Sequence, residues 1–259
     1  MSVVHETEII VMEVFKKEIQ RLTASSGANI QKPSSSKIHF KVVHFLMEAS
    51  VKLSLESVTT ASACIFYHRF FRQRKLSNYD PHLIAATCIY LATKVEEQPV
   101  RMRDIINVCH RMLHKNSPKL EIGPEYWELR DSIVNCELLL VRVLQFKLNS
   151  ELPHKYMLHY LKSLRDWMDT DVWLTTPIAK TSMSILCDSF HTDLCLRVKP
   201  QHLAVAAVYF ALQCYGVEVP CNLQAEKQWW QVFCEDISEN SIQKMILELI
   251  DVYQQEVQV

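Results

Sequence analysis

From Ile38 to Tyr253 the apolar residues recur at alternating steps of three and four, the spacing that lines one face of a helix. The clearest case runs Tyr126, Leu129, Ile133, Cys136, Leu140 and Val143. Two segments depart from that amphipathic pattern because they are apolar on every side: Leu83 to Ala92 (LIAATCIYLA, interrupted only by Thr87) and Leu203 to Leu212 (LAVAAVYFAL). A helix of that composition is surrounded by other helices. The two segments align at an offset of 119 residues, so that Pro81 matches Pro200, Ala85 matches Ala204, Tyr90 matches Tyr209 and Ala92 matches Ala211. This is an internal duplication, with alanines that let neighbouring helices approach a central one.

Four further helices are expected around each central one. In the first half they cover roughly 38–53, 57–74, 102–113 and 126–146, and in the second roughly 154–165, 177–190, 229–233 and 238–253. Asp80-Pro81 and Thr176-Pro177 each set a capping side chain before a proline at the first helical position, and Gly216 followed by Pro220 marks a helix end. Val11, Phe15, Ile19 and Leu22 predict a short amphipathic N-terminal helix, and the polar stretch from Ser25 to Ser36 reads as a linker. The expected architecture is all-α: an N-terminal helix and linker over 1–36, then two tandem five-helix repeats over 37–150 and 151–259.

Only three glycines occur in 259 residues, Gly27, Gly123 and Gly216. That scarcity excludes the glycine-rich loops that cradle phosphates, and with them the common nucleotide-binding enzymes. Twenty-eight Lys and Arg against 29 Asp and Glu leave a formal charge of -1, so no overall positive field attracts nucleic acid. Basic residues gather only locally, at His68-Arg69, Arg72, Arg74-Lys75 and at Arg101 and Arg103. The apolar runs are about half the length that a bilayer crossing needs, and the N-terminus lacks a basic then apolar leader pattern. A protein of the nucleus or cytoplasm is expected. Nine cysteines stand without CxxC or zinc spacing, which reads as reduced thiols with no metal and no cofactor.

The first repeat carries two strings that resemble a cyclin box. In YDPHLIAATCIYLATKVEE, residues 79–97, a buried helix ends in Ala-Thr-Lys-Val-Glu-Glu much as cyclins end theirs in Ala-x-Lys-x-Glu-Glu. In Asn135 to Phe146 a glutamate is followed by an apolar helix closing on Leu-x-Phe. The resemblance spans residues 37 to about 253 and implies two tandem five-helix cyclin-box repeats. It also implies a regulatory subunit, not an enzyme, that binds and activates a cyclin-dependent serine/threonine kinase. Lys94 and Glu137 match the cyclin residues that hydrogen-bond the kinase backbone around its αC helix, and Val95 and Glu97 accompany them as kinase-binding residues. Taken alone, such a lysine complements a helix C-terminus and such a glutamate sits on a solvated face, each contributing on the order of 0.3 to 1 kcal/mol. Two motifs at family spacing in a duplicated helical chain weigh for the binding role.

HFKVVHFLMEASVKL, KVEEQPVRMRDIINV, HKYMLHYL and AEKQWWQVF are similar to the transcription-associated branch and, within it, to the cyclin Q (cyclin M) subfamily. That resemblance implies cyclin-dependent kinase ten as partner, with no nucleic acid or membrane. Ile38-His39-Phe40-Lys41-Val42 replaces the Met-Arg-x-Ile-Leu string of cell-cycle cyclins, so an Arg-x-Leu docking groove is not expected. Trp229-Trp230 reads as core aromatics of a short helix. Two rivals compete: a tandem cyclin-fold transcription factor that binds nucleic acid, and an enzyme using Cys187, Asp188 and His191 from one helix.

Overall fold

The computed structural model describes residues 34–115, 118, 120–221 and 227–256. The expected N-terminal helix around Val11 to Leu22 lies outside them. Twelve α-helices follow in order: α1 Ser34–Lys52, α2 Ser57–Gln73, α3 Pro81–Val95, α4 Met102–Leu113, α5 Pro124–Val143, α6 Pro153–Trp167, α7 Thr170–Thr175, α8 Ile178–Ser189, α9 Leu194–Arg197, α10 Pro200–Tyr215, α11 Trp229–Phe233 and α12 Glu239–Glu256. No strand occurs among the described residues, and no described helix is long and apolar enough to cross a membrane. The chain forms two compact units.

In the first unit α3 packs against α1, α2, α4 and α5. Proline at its first position has no N–H to lose, and the Asp80 carboxylate accepts the His82 N–H at 2.9 Å, as the Asp-Pro pair predicts. Along α3 Ile84, Ala85, Ala86, Cys88 and Ile89 are buried, and Thr87 satisfies its hydroxyl by donating to the Leu83 carbonyl at 2.8 Å. Neighbouring α2 buries Phe66, Tyr67 and Phe70 completely, each worth about 1.5 to 3 kcal/mol.

Phe190–Arg197, which follows α8 in sequence, packs within this first unit. His68 lies 2.8 Å through Nε2 from the Phe190 carbonyl, which can only accept, so Nε2 carries the hydrogen. The ring of His191 stacks on Phe40 at 5.0 Å. Burial pushes the His68 imidazole below its ordinary value, against the opposing pull of the Phe190 carbonyl and Asp193.

In the second unit α10 holds the matching place, packed against α6, α8 and α12, with Leu203 to Val208 all buried. It ends at Gly216, which takes φ 61° while Val217 N–H bonds the Leu212 carbonyl. That is a Schellman ending, where glycine carries no Cβ penalty. Trp230 is buried with its ring 5.2 Å from Tyr209 and Trp229 half-buried beside it, as expected of core aromatics.

Three local expectations change. The short helices α7 and α9 appear where none was expected. Thr176 does not cap the helix that follows, because its hydroxyl donates back to the Val172 carbonyl and α8 starts one residue past Pro177. Finally α8 ends at Ser189, so Cys187 and His191 do not share a helix.

Candidate functional site

The end of α3 is held by a turn that fixes where each side chain points. Ala92 and Thr93 are the last buried residues, Lys94 is half exposed, Val95 is half-buried and Glu96 is the C-cap. Glu97 adopts φ 52° and is exposed, and the Gln98 N–H bonds the Thr93 carbonyl at 3.0 Å. A non-glycine residue in the left-handed region is sterically disfavoured, so its neighbours must hold it. Gln98 does so: its side-chain oxygen accepts the Glu56 N–H at 3.0 Å and the Thr59 hydroxyl at 2.8 Å. Glu96 adds a bond from the Ser62 hydroxyl at 2.6 Å. The Thr-Lys-Val-Glu-Glu-Gln turn is thereby bolted to the start of α2.

Glu137 reaches the same place from the middle of α5. The Lys94 ammonium donates to both oxygens of its carboxylate, at 2.7 and 3.0 Å, and lies 4.1 Å from the centre of the Tyr90 ring one turn earlier on α3. Desolvation by partial burial opposes the lysine's charge, but the Glu137 carboxylate and Tyr90 outweigh it and hold its pKa above the ordinary value. The two residues differ in exposure, with 46% of the Lys94 side chain open to solvent against 16% for Glu137. The lysine is thus open to solvent and the glutamate mostly covered. A pair of this kind, half open to solvent, contributes about 0.2 to 1 kcal/mol.

The helix that carries Glu137 also exposes apolar residues. On α5, Val134 and Leu138 are exposed four residues apart, Leu138 at 57%, although the core face of the same helix is fully supplied by Tyr126, Ile133, Leu140 and Val143. Beyond the helix end Gln145 and Phe146 both take positive φ, 56° and 58°, and the Phe146 ring is 73% exposed. The signal was present in the sequence. Leu138, Leu139, Leu140 and Val141 form an unbroken apolar run after Glu137, and a helix cannot turn four consecutive residues to one core. Exposed apolar residues on the helix that holds one member of a fixed polar pair suit a protein interface.

Other predicted groups do not assemble. Burial raises the Cys187 thiol to about 11, with Asp188 adding to the shift, while Asp188 itself accepts the Tyr253 hydroxyl at 2.8 Å. His191 is stacked on Phe40, so the nucleophile, base and orienting acid of the enzyme reading serve separate structural contacts. No disulfide links any of the nine cysteines, and burial pushes Cys109 and Cys195 up to about 12. No metal-binding cluster of His, Cys, Asp and Glu occurs among the described residues. Lys41 is exposed on α1 between the buried Phe40 and Val42.

Comparison with known proteins bears on the same region. The family profile described as cyclin, N-terminal domain, matches residues 9–149. The chain is 28% identical to Cyclin-T1-4 of Arabidopsis thaliana over 93% of its length and 33% identical to Cyclin pch1 of Schizosaccharomyces pombe over 82%. It spans 43% and 59% of those relatives' own lengths. Its fold is similar to a chain of the yeast RNA Pol II CTD kinase CTDK-1 complex, with a TM-score of 0.67 at 18% identity, covering 92% of this chain and 71% of that one.

Proposed function

Because this chain belongs to the cyclin family, we propose that it is a non-catalytic regulatory subunit that binds and activates a cyclin-dependent serine/threonine kinase. Lys94, Glu137, Val95 and Glu97 form the docking surface. The observation that carries this reading is the Lys94–Glu137 ion pair, with exposed Val134 and Leu138 on the helix that carries Glu137. An ammonium has three donors and two are spent on Glu137, so one remains for a partner's carbonyl. The carboxylate likewise keeps lone pairs for a partner's N–H groups. Since each side chain already holds the other in place, docking freezes little further motion. Val134 and Leu138, once covered by a partner, exclude water and strengthen the polar contacts made on the same helix.

On the kinase, such a contact pushes the αC helix inward, so that its glutamate pairs with the ATP-binding lysine and the phosphoryl-transfer site is complete. The relatives belong to the transcription-associated branch, which supports a nuclear role in transcription or cell-cycle control. Within that branch our reading is the cyclin Q (cyclin M) subfamily, with cyclin-dependent kinase ten as the partner.

The test is co-expression with that kinase and capture of the complex. Lys94→Ala and Glu137→Ala should each weaken binding by about 2 to 5 kcal/mol, roughly thirty-fold to several thousand-fold, and remove the co-purifying kinase activity. Variants that stay folded and still bind and activate like wild type would refute the docking assignment. Equal capture of unrelated cyclin-dependent kinases would refute the choice of partner.

A further inference from the structure

We propose that the C-terminal end of α2, together with the turn after α5, is a docking surface for a multiply phosphorylated segment of a partner protein. Arg69 and Arg72 lie three residues apart on the last turns of α2, hence on one face, and Arg74 and Lys75 follow in extended chain. Arg69 joins this end to α5: its guanidinium donates to the Lys147 carbonyl at 2.7 Å and, more weakly, to the Leu144 carbonyl at 3.5 Å. The Lys147 backbone is thereby held against Arg69.

No acidic residue occurs between Glu56 and Asp80, nor between Glu137 and Glu151, so the two segments meeting here bring cations and no counter-charge of their own. Arg72, Arg74, Lys75 and Lys147 are exposed, and none of the four makes an ion pair among the described residues. Two helix C-termini converge at this end and favour positive charge there. Arg69, bonded to the carbonyls at the end of α5, and Arg72, in the last turn of α2, already answer that need. Arg74, Lys75 and Lys147 are surplus to that need and available to a bound anion.

Arginine prevails over lysine among the α2 cations, and its planar fork pairs with phosphate oxygens through two parallel N–H bonds. Each phosphorylated side chain brings a charge of about -1.5 to -2, so a short segment with several of them neutralises the surface. The positive field is local on a chain of net charge -1 and fades over a Debye length of about 8 to 10 Å. That favours a short phosphorylated peptide over a nucleic-acid backbone, which needs a long cationic track.

The experiment is fluorescence anisotropy with the full chain. The probes are a labelled Gly-Ser peptide carrying several phosphoserines, its unphosphorylated twin, and a single-stranded oligouridylate of similar length. The phosphopeptide should bind at least about tenfold tighter than its twin and weaken as salt rises. The triple variant Arg72→Gln, Arg74→Gln, Lys75→Gln should lose that preference with an unchanged melting temperature. Arg101→Gln with Arg103→Gln, altering the exposed basic pair at the start of α4, should keep it. Lys94→Ala should keep it as well, so this inference and the kinase-docking reading fail separately. Equal binding of both peptides would overturn the proposal, and so would wild-type affinity in the triple variant. An equal loss in the α4 control, or tighter binding of the oligouridylate than of the phosphopeptide, would overturn it too.

Discussion

The two central helices begin alike and end differently. Both start on proline, and both bury alanines at matched positions, Ala85 with Ala204 and Ala92 with Ala211. Their ends share a backbone device too. At the same offset Thr93 corresponds to Leu212, Glu97 to Gly216 and Gln98 to Val217. In each repeat the last of these positions donates its N–H to the carbonyl of the first in a 6→1 bond: Gln98 N–H to the Thr93 carbonyl, and Val217 N–H to the Leu212 carbonyl. The left-handed residue is Gly216 at φ 61° in the second repeat and Glu97 at φ 52° in the first. Lys94 corresponds to Gln213, whose side-chain oxygen is buried.

The second repeat thus closes its central helix with the residue that backbone geometry prefers. The first repeat accepts strain of about 1 kcal/mol to carry a charged side chain at that place, and adds the lysine three residues before it. Strain that neighbouring bonds must hold in place is characteristic of functional sites. One duplicated scaffold therefore ends on a glycine at one copy of the turn and on a strained, charged residue at the other, which under the proposed function serves recognition.

The largest expected effect separates the two turns directly. Lys94→Ala should cost about 2 to 5 kcal/mol in kinase binding, whereas Gln213→Ala at the matched position should leave capture of the kinase unchanged. A comparable loss from both would dissolve the distinction. Next comes the shared core: Ala85→Leu and Ala204→Leu each force extra volume into a fully buried site and should destabilise by about 1 to 3 kcal/mol in urea melts. If one is tolerated and the other is not, the two central helices are not equivalent in packing.

Acid should act on the first unit through His68. Its folded pKa lies below the ordinary 6.5, so the folded state holds fewer protons than the unfolded one between those two values. Stability is full above about pH 6.5 and is lost as pH falls below it, with a slope of at most about 1.4 kcal/mol per pH unit for this group. Melting in a pH series should show the decline, and His68→Gln should flatten it. The smallest effects concern the strained turn itself. Glu97→Gly should stabilise and Gly216→Ala destabilise by about 1 kcal/mol each, a shift of roughly 2 to 4 °C in melting temperature. No atom lies within 4 Å of a Cβ added at Gly216, so that cost comes from φ alone. Glu97→Gly should nonetheless weaken kinase capture.

Long helices with a full periodic record were legible in the sequence, with the spans 57–74 and 102–113 appearing in Ser57–Gln73 and Met102–Leu113. So was the duplication, because packing around a central helix forces all-round apolar composition. The helices Thr170–Thr175 and Leu194–Arg197 were not, since neither is long enough to display a period. The bond from His68 to Phe190 spans 122 residues and leaves no local trace. At the candidate site the individual residues Lys94 and Glu137 came from family resemblance. Their mutual ion pair did not, because it depends on how α3 and α5 cross. For Val134 and Leu138 the sequence is half informative: the apolar run after Glu137 shows that some residue must face outward, and the packing of α5 decides which.

The placement of Phe190–Arg197 has a consequence for how the chain acquires its shape during synthesis. The first unit draws on residues 34–152 and then on eight residues that follow α8. A ribosome delivers the chain from its N-terminus at about 5 to 20 residues per second, so the seat for this segment, including buried Phe40 and His68, waits for several seconds while residues 153–189 emerge. During that interval the unit has an unfinished apolar face. Its completion is tied to the emergence of Arg197, which makes the order of folding interleaved instead of one repeat after the other.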